Sequence, residues 1–386
     1  MRAMIWQAPL RKAAIWLSCF VLTALLADVL VRIALVKLEI PGDGNVGWRR
    51  RWVARHRQGS DIYYAFDQYD RTKGWIARPS LCEVKVFGNK RVSTNSLGLR
   101  GRLEIPLTKS PGTTRVLILG DSFTFGDEVS DDETFPHYLQ ELNPDLEVLN
   151  FGVHGYGHDQ MLLLLKELGL PHDPDVVVLG FVFHDMDRNL LYFRDFAKPR
   201  FTVTKGRLEL RNSPVPTPRE VMRREWLRRG LWDLIEGTTW TIRRQTGQLH
   251  QESTRLSEAI LREIQRLAED AGALPVFVYL PILESDLRSA SSLAEGFLFA
   301  FCEKYEATCF SVRRDFDRAA AAGIQLHFAM EDEAATPGST IESHWTPAGH
   351  RVVASSLSTF LRSLDFVGTA AHSGPAAGAS TGGRQD

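Results

Sequence analysis

The amino-acid sequence predicts an α/β fold in which helices cover both faces of a central parallel sheet, behind an N-terminal transmembrane helix. Short runs rich in β-branched and aromatic residues alternate with longer stretches of helical periodicity, which is typical of a parallel sheet with helical crossovers. A long apolar segment lies near the N-terminus. The strand candidates are residues 115–119, 147–151, 176–182, 275–280 and 308–312. The helix candidates are residues 134–142, 160–168, 254–271, 291–305 and 347–364.

The N-terminal segment is long enough to cross a bilayer. Residues 13–27 are uncharged and mostly apolar, and residues 29–36 extend the run with only Arg32 interrupting it. About 24 helical residues at about 1.5 Å each give roughly 36 Å, compared with about 30 Å for the hydrocarbon core. A cleaved signal peptide is the alternative, but Ala-Leu-Leu-Ala at residues 24–27 is a poor small-x-small cleavage site. We therefore expect residues 1–37 to form an uncleaved anchor.

The segments around the α/β domain have distinct compositions. Residues 38–114 are expected to form a linker and a small strand-rich lead-in, and its basic stretch 49–57 is interpreted as a linker close to the membrane surface. The α/β domain is assigned to residues 115–366. The tail, residues 367–386, is rich in Gly, Ala, Ser and Thr, so it buries too little apolar surface to order itself.

An insertion at about residues 190–251 separates the third and fourth strand candidates. Residues 201–204 and 207–210 flank Lys205-Gly206 and predict a β-hairpin. Residues 219–244 then predict one amphipathic helix that mixes tryptophans with arginines. Such a helix suits anionic lipid headgroups or a cap over a site, and an ordinary solvated helix with its tryptophans packed on the domain fits equally well.

Composition excludes several classes of function. The chain has 386 residues, of which 44% are hydrophobic and 24% charged, with a net charge of −1, so it provides one sizeable core and no overall field that attracts nucleic acid. Its four cysteines lack zinc-ligand spacing, and we expect neither a metal nor a cofactor. Cys302 and Cys309 fit a disulfide in an oxidising compartment or two buried thiols.

A serine lies where the first strand of the sheet is predicted to end. Gly120-Asp121-Ser122-Phe123 follows the apolar run 116–119. Functional sites of open α/β sheets gather at the carboxyl ends of strands, so this position suits a nucleophile. A plain turn with an N-cap serine explains the same four residues.

A histidine lies in a loop shortly before the last predicted helix. A serine hydroxyl needs a neighbouring base to take its proton, and that base works best when a carboxylate holds its tautomer. His344 and Glu342 are separated by one residue, so a short loop directs both toward one pocket. On its own, a loop histidine near a glutamate is also typical of a surface.

Taken together, three sequence blocks resemble those of the SGNH, or GDSL, hydrolases: residues 119–126, 150–157 and 342–350. The resemblance implies a three-layer, flavodoxin-like fold. It also implies that Ser122 is the nucleophile, that His344 is the general base, and that the backbone N–H groups of Ser122 and Gly155 form part of an oxyanion hole. Residues 94–101 resemble the segment that precedes the catalytic domain in membrane-anchored members, and the likeness extends over about residues 67–364.

The chain departs from the family pattern in two places. The third block of the family reads Gly-x-Asn-Asp, whereas this chain has Phe-Val-Phe-His184-Asp185, so the imidazole of His184 replaces an amide donor of the oxyanion hole. Asn189 is the alternative donor, and Asp185 is interpreted as a structural partner of its loop. Glu342 replaces the usual aspartate, a change that is tolerated in Ser-His-Glu triads of other folds.

The sequence therefore predicts a membrane-anchored serine esterase acting on O-acyl esters of a small molecule, glycan or lipid, with an O-acyltransferase left open. The basic residues on the two sides of the anchor do not decide its orientation, and the resemblance implies a periplasmic or otherwise extracytoplasmic domain. A catalytically silent glycan-binding or assembly protein is the alternative. A phosphate-binding flavodoxin-like domain is disfavoured, because residues 120–126 lack the lysine and glycine spacing of a phosphate loop. His154 and His158 are interpreted as pocket-lining or loop residues.

Overall fold

The structure is a computed structural model that describes residues 7–37, 44–58, 66–228, 230–282, 288–328 and 344–364. These residues fall into two compact units. The first contains the described residues up to Ile76 together with Met186–Ala259. The second contains Ala77–Asp185 and the described residues of 260–329 and from 343 onward.

In the described part of the chain, the secondary-structure elements are numbered in chain order. The strands are β1 Asp67–Asp70, β2 Gly74–Ala77, β3 Val84–Phe87, β4 Lys90–Val92, β5 Thr114–Gly120, β6 Leu146–Gly152, β7 Val176–Phe181, β8 Arg200–Thr204, β9 Arg207–Arg211, β10 Leu274–Tyr279 and β11 Thr308–Ser311. The helices are α1 Gln7–Lys37, α2 Asn45–Gln58, α3 Ser122–Phe125, α4 Phe135–Leu142, α5 His158–Leu164, α6 Phe183–Arg188, α7 Pro218–Leu227, α8 Gly230–Gln245, α9 Gln248–Asp270, α10 Arg288–Tyr305, α11 Arg313–Ala321 and α12 Pro347–Ser363.

A parallel sheet forms the centre of the second unit. Its strands lie in the order β11-β10-β7-β5-β6 within the described residues. This is the flavodoxin-like order, in which the chain starts on the interior strand β5, adds the edge strand β6 on one side and then crosses to β7 on the other. The predicted α/β class with a central parallel sheet is confirmed. The topological switch point lies between β5 and β7, where such folds place their sites.

The interior strands β5 and β7 contain continuous apolar runs, residues 116–119 and 176–179, because helices cover both faces of the sheet. Every residue of β5 and of β7 is buried, as expected for central parallel strands that lack a solvated face. One hydrophobic cluster joins the sheet to α4 and α12 and includes Val116, Leu139 and Val353. The fold thus fixes the carboxyl ends of β5 and β7 between packed helices.

The first unit contains the hairpin that the sequence predicts and corrects two other predictions. β8 and β9 pair antiparallel around Lys205 and Gly206, which confirms the hairpin. The basic stretch 49–57 is a helix, α2, rather than a linker, because its apolar side chains, including Trp52, are buried. The prediction of a single helix over residues 219–244 is wrong. This segment is divided into α7 and α8, because Arg228 caps α7 in an extended conformation.

The structure also describes the N-terminal helix and the pairing of two cysteines. α1 contains Lys12–Val31, a stretch of mean hydropathy 2.3 that is long and apolar enough to cross a membrane. Cys302 and Cys309 form a disulfide between the end of α10 and β11, so the two-thiol alternative is wrong. The predicted tail, residues 367–386, lies outside the described residues.

A buried histidine in α12 makes the stability of the fold depend on pH. The Nδ1 atom of His350 accepts a hydrogen bond from the backbone N–H of Phe135 at 3.1 Å. Burial lowers the pKa of His350 from 6.5 to about 3, and the positive charge of Arg100 and the proximity of His344 act in the same direction. Because the unfolded chain binds this proton near pH 6.5 and the folded chain does not, the free energy of unfolding falls as the pH drops below 6.5.

We expect His350→Asn, which keeps an acceptor for Phe135 but does not titrate, to weaken this pH dependence. Between pH 7 and pH 5 the parent chain should lose about 2 kcal/mol more stability than the variant, since each pH unit below the unfolded pKa contributes about 1.4 kcal/mol. Urea unfolding of the full chain in detergent at the two pH values measures the difference. Equal losses in the two proteins would contradict the assignment.

Candidate active site

Ser122 lies directly beyond the carboxyl end of β5, as the first residue of the short helix α3. The side chain of Asp121 caps this helix by accepting a hydrogen bond from the backbone N–H of Phe123 at 3.1 Å. At its other end, the backbone N–H of Gly126 donates to the carbonyl oxygen of Ser122 at 2.9 Å. Ser122 is buried, so the loop holds its hydroxyl in one place rather than leaving it on a mobile turn.

The structure brings Ser122 and His344 together. The Nε2 atom of His344 lies 2.9 Å from the Oγ atom of Ser122, which is hydrogen-bonding distance. The backbone around His344 is fixed by a short pairing with residues 326–328. The N–H of Phe328 donates to the carbonyl of His344 at 3.0 Å, and the N–H of Thr346 donates to the carbonyl of Leu326 at 2.9 Å.

Trp345 anchors the loop that carries His344. Its side chain is fully buried, and its Nε1 atom donates to the carbonyl oxygen of Pro281 at 3.3 Å. Its ring lies 4.8 Å from that of Phe123, the residue after the candidate nucleophile. At Gly349 a side chain would bring a Cβ atom to 2.5 Å from the carbonyl of Leu326, so a glycine is needed where the segments meet. The anchor, Trp345, therefore directly follows the candidate base, His344, along the chain.

The described carboxylate that faces the second ring nitrogen of His344 belongs to Glu128. Its Oε1 atom lies 3.4 Å from Nδ1 of His344. Glu342, the carboxylate that the sequence predicts for this position, lies outside the described residues, and its role stays a prediction. Glu128 has a φ of 67°, a left-handed conformation that is uncommon for residues other than glycine and that occurs at functional sites. Glu128 is not among the residues that the sequence predicts for the site.

A buried arginine holds the loop on which Glu128 lies. Arg100 donates from Nη1 to the carbonyl of Gly126 at 3.1 Å and from Nη2 to the carbonyl of Val129 at 2.9 Å. Its Nε atom donates to Asp131 at 2.8 Å. The planar guanidinium therefore fixes the carbonyls on both sides of Glu128. Arg100 lies in the segment 94–101. This segment therefore stabilises the loop that carries Glu128.

Asp127 adds a second carboxyl group close to His344. It is buried, and burial raises its pKa, although the charges of His344, His154 and Arg100 act in the opposite direction. A raised pKa means that this carboxyl holds a proton more readily than an ordinary aspartate. The environment of His344 therefore contains one partly exposed carboxylate, Glu128, and one desolvated carboxyl, Asp127.

The predicted oxyanion-hole residues lie on loops at the same end of the sheet. Gly155 follows β6 in a turn closed by a hydrogen bond from Tyr156 N–H to Val153 oxygen at 3.3 Å, and its φ of 72° is one that glycine adopts without strain. His184 follows β7, half-buried in the first turn of α6. The roles of Ser122 N–H, Gly155 and His184 in binding an oxyanion stay predictions. The side-chain nitrogen of Asn189 donates to Ser257 at 3.0 Å.

Two further candidates, His158 and Asp185, form a buried pair. The Nε2 atom of His158 lies 3.7 Å from Oδ2 of Asp185, and both side chains are fully buried. The His158 ring stacks on Phe181 at 4.8 Å. This arrangement agrees with the interpretation of Asp185 as a structural partner. His154 is buried and meets the ring of Phe125 edge-on at 5.8 Å.

Comparison with known proteins finds similarity of structure only. No family model and no curated protein matches the chain. A lipolytic protein of the G-D-S-L family from Veillonella parvula is similar with a TM-score of 0.40 and 13% identity, over 65% of this chain and 100% of its own. A putative lipolytic protein of that family from Desulfitobacterium hafniense gives 0.37 and 12%, over 64% and 99%. A catalytic mutant of an acetylxylan esterase from Geobacillus stearothermophilus gives 0.38 and 15%, over 67% and 97%. Similarity at this level defines no activity for this chain.

We expect Glu128→Gln to lower kcat/KM for ester hydrolysis by at least about tenfold. A carboxylate beside Nδ1 stabilises the imidazolium that forms during attack, and each 1.4 kcal/mol of lost stabilisation slows the reaction by about tenfold. Glu141→Gln, at an exposed glutamate of α4, is the matched control and should leave kcat/KM unchanged. An unchanged rate in Glu128→Gln with a loss in Glu342→Gln would assign the orienting role to Glu342 instead.

Proposed function

We propose that this chain is a serine esterase of the SGNH type that hydrolyses O-acyl esters. The observation that supports the proposal is the distance of 2.9 Å between the Oγ atom of Ser122 and the Nε2 atom of His344. A hydroxyl and an imidazole at this distance, at the switch point of a parallel sheet, form the pair that activates a serine nucleophile. The three sequence blocks that resemble SGNH hydrolases support the same reaction.

The reaction proceeds in two halves. In the first, Oγ of Ser122 attacks the ester carbonyl while its proton passes to Nε2 of His344, giving a tetrahedral oxyanion. The C–O bond to the alcohol then breaks, and the alcohol leaves with the proton from His344, so that an acyl-Ser122 ester remains. In the second half, His344 takes a proton from water, the hydroxide attacks the acyl carbon, and the acid leaves as Ser122 regains its proton.

The surrounding groups stabilise the two charges that develop. A carboxylate beside Nδ1 stabilises the imidazolium form of His344, a role for which Glu128 and Glu342 are the candidates. The backbone N–H groups of Ser122 and Gly155, with His184 as a third donor, are the proposed oxyanion hole. Loss of one such donor typically costs a factor of roughly 100 to 1,000 in rate. The orientation of the His184 ring therefore has a large effect on the proposed activity.

The proposed substrate class follows from where the enzyme acts. α1 is long and apolar enough to anchor the chain in a membrane, and the family resemblance implies a domain outside the cytoplasm. O-acylated glycans and lipids are the esters found at such a surface. Transfer to a hydroxyl acceptor uses the same acyl-enzyme, so an acyltransferase differs from the esterase only in the second half of the reaction.

We expect Ser122→Ala to abolish turnover of p-nitrophenyl acetate by the detergent-solubilised full chain. Because the serine oxygen forms the covalent intermediate, kcat should fall by about 10⁴-fold or more, and His344→Ala should cause a loss of similar size. Ser363→Ala, at an exposed serine near the end of α12, should match the parent.

Absence of turnover in the parent chain would favour the alternative, a catalytically silent glycan-binding or assembly protein on the same fold. Retention of activity in Ser122→Ala would exclude the proposed nucleophile. Consumption of the ester that requires an added hydroxyl acceptor, with the acyl group recovered on that acceptor, would identify a transferase.

A further inference from the structure

Helix α8 turns an apolar face to the outside of the first unit. Leu231, Ile235 and Ile242 are 53%, 48% and 53% exposed. Their spacing of four and seven residues places them on one side of the helix. Trp232, 63% exposed, lies at the margin of this face, and the exposed Thr238 and Thr239 fill the space between its apolar members. The exposed residues of α8 from Leu231 to Ile242 thus carry no charge. We call these residues the apolar face of α8.

The acidic residues of α8 point the other way, and its two arginines, Arg243 and Arg244, lie in its last turn. Asp233 is buried and accepts a hydrogen bond from Nη2 of Arg49 in α2 at 2.6 Å. Glu236 accepts from Nη2 of Arg228 at 2.6 Å and from the hydroxyl of Tyr192 at 2.5 Å. A surface helix in water normally buries its apolar stripe and exposes its charges. α8 has the reverse arrangement, which is unfavourable unless something apolar covers its outer face.

The start of α8 lies against the end of the candidate membrane span. The backbone N–H of Gly230, the first residue of α8, donates to Oδ1 of Asp28 in α1 at 2.5 Å. Asp28 and Val31 are half-buried, whereas the side chains from Lys12 to Ala27 are exposed. α8 therefore begins beside the last turn of the stretch that is apolar enough to cross a membrane, at the level where a bilayer ends.

We propose that α8 is a second membrane element at the bilayer interface, with its apolar face among the acyl chains. The occupant is lipid, because the apolar face begins beside α1, whose exposed apolar surface lipid covers if α1 spans the membrane. A helix with one apolar face and aromatic residues at its margin is typical of interfacial binding. Trp232, and Trp226 of α7 at 83% exposed, suit the headgroup level where tryptophans concentrate.

This arrangement attaches the first unit to the membrane at two places rather than one. With α1 as its one attachment, the first unit would be free to rotate relative to the membrane surface. The hydrogen bond between Asp28 and Gly230, together with a face inserted along α8, fixes the unit against the lipid surface. The inference is independent of the proposed ester chemistry.

Spin labels on the full chain in vesicles of phosphatidylcholine and phosphatidylglycerol test the proposal. Cys19 and Cys82 are the free cysteines of the described residues. For the labels on α8, both are replaced by serine, and a single new cysteine is introduced by Ile235→Cys or by Ile242→Cys. Val203→Cys, in β8 and 45% exposed, is the matched control outside α8. A label on native Cys19, in Cys82→Ser, reports whether α1 is inserted. Collision with oxygen, which concentrates in lipid, and with a water-soluble nickel chelate is measured for each label.

We expect labels at 235 and 242 to resemble the Cys19 label, with high oxygen collision and loss of nickel collision, while the label at 203 collides freely with nickel. Nickel collision at 235 and 242 equal to that at 203 would overturn the proposal. Poor collision with both reagents would also overturn it, since it would mean that a second copy or another protein covers the face. Free collision of the Cys19 label with the nickel chelate would show that α1 is not inserted in the membrane, and it would overturn the proposal as well.

Discussion

The hydrogen bond between the Oγ atom of Ser122 and the Nε2 atom of His344 requires the sheet and helices of the second unit to be in place, because it joins residues 222 positions apart. Closing so long a loop costs conformational entropy, and a single hydrogen bond returns little of it. The contact therefore depends on packing around both partners. β5 and the cap from Asp121 fix the serine, and the buried ring of Trp345 fixes the histidine from the neighbouring position.

The sequence allowed the sheet and its edge to be predicted because burial on both faces leaves a simple pattern. β5 and β7 appear as uninterrupted apolar runs, and their observed bounds differ from the predicted ones by one residue. A serine two residues after β5 and a histidine three residues before α12 then follow from counting along the chain. The order of the strands cannot be predicted in this way, since periodicity does not encode which strands are neighbours. That order came from the resemblance of the motifs to a flavodoxin-like family.

The parts that the sequence analysis missed depend on contacts between distant elements. Glu128 lies near His344 because its backbone adopts a left-handed conformation and Arg100 holds the carbonyls beside it. Neither fact has a local signature, although the two acidic residues after Gly126, Asp127 and Glu128, were a hint. The division of residues 219–244 into α7 and α8 has a similar origin. The inward ion pairs of Asp233 and Glu236 require α8 to turn its leucines and isoleucines outward, which an amphipathic pattern alone does not reveal.

The central claim is that the imidazole of His344 activates the hydroxyl of Ser122. Its most direct test is the mass of the peptide that contains Ser122 after the full chain is incubated with a serine-directed fluorophosphonate, which reacts with activated serines. The account predicts that the phosphonyl adduct forms on Ser122 in the parent chain and is lost when His344 is replaced by alanine in a protein that remains folded. Labelling of Ser122 at the same rate without the imidazole, or no labelling of the parent at all, would contradict it.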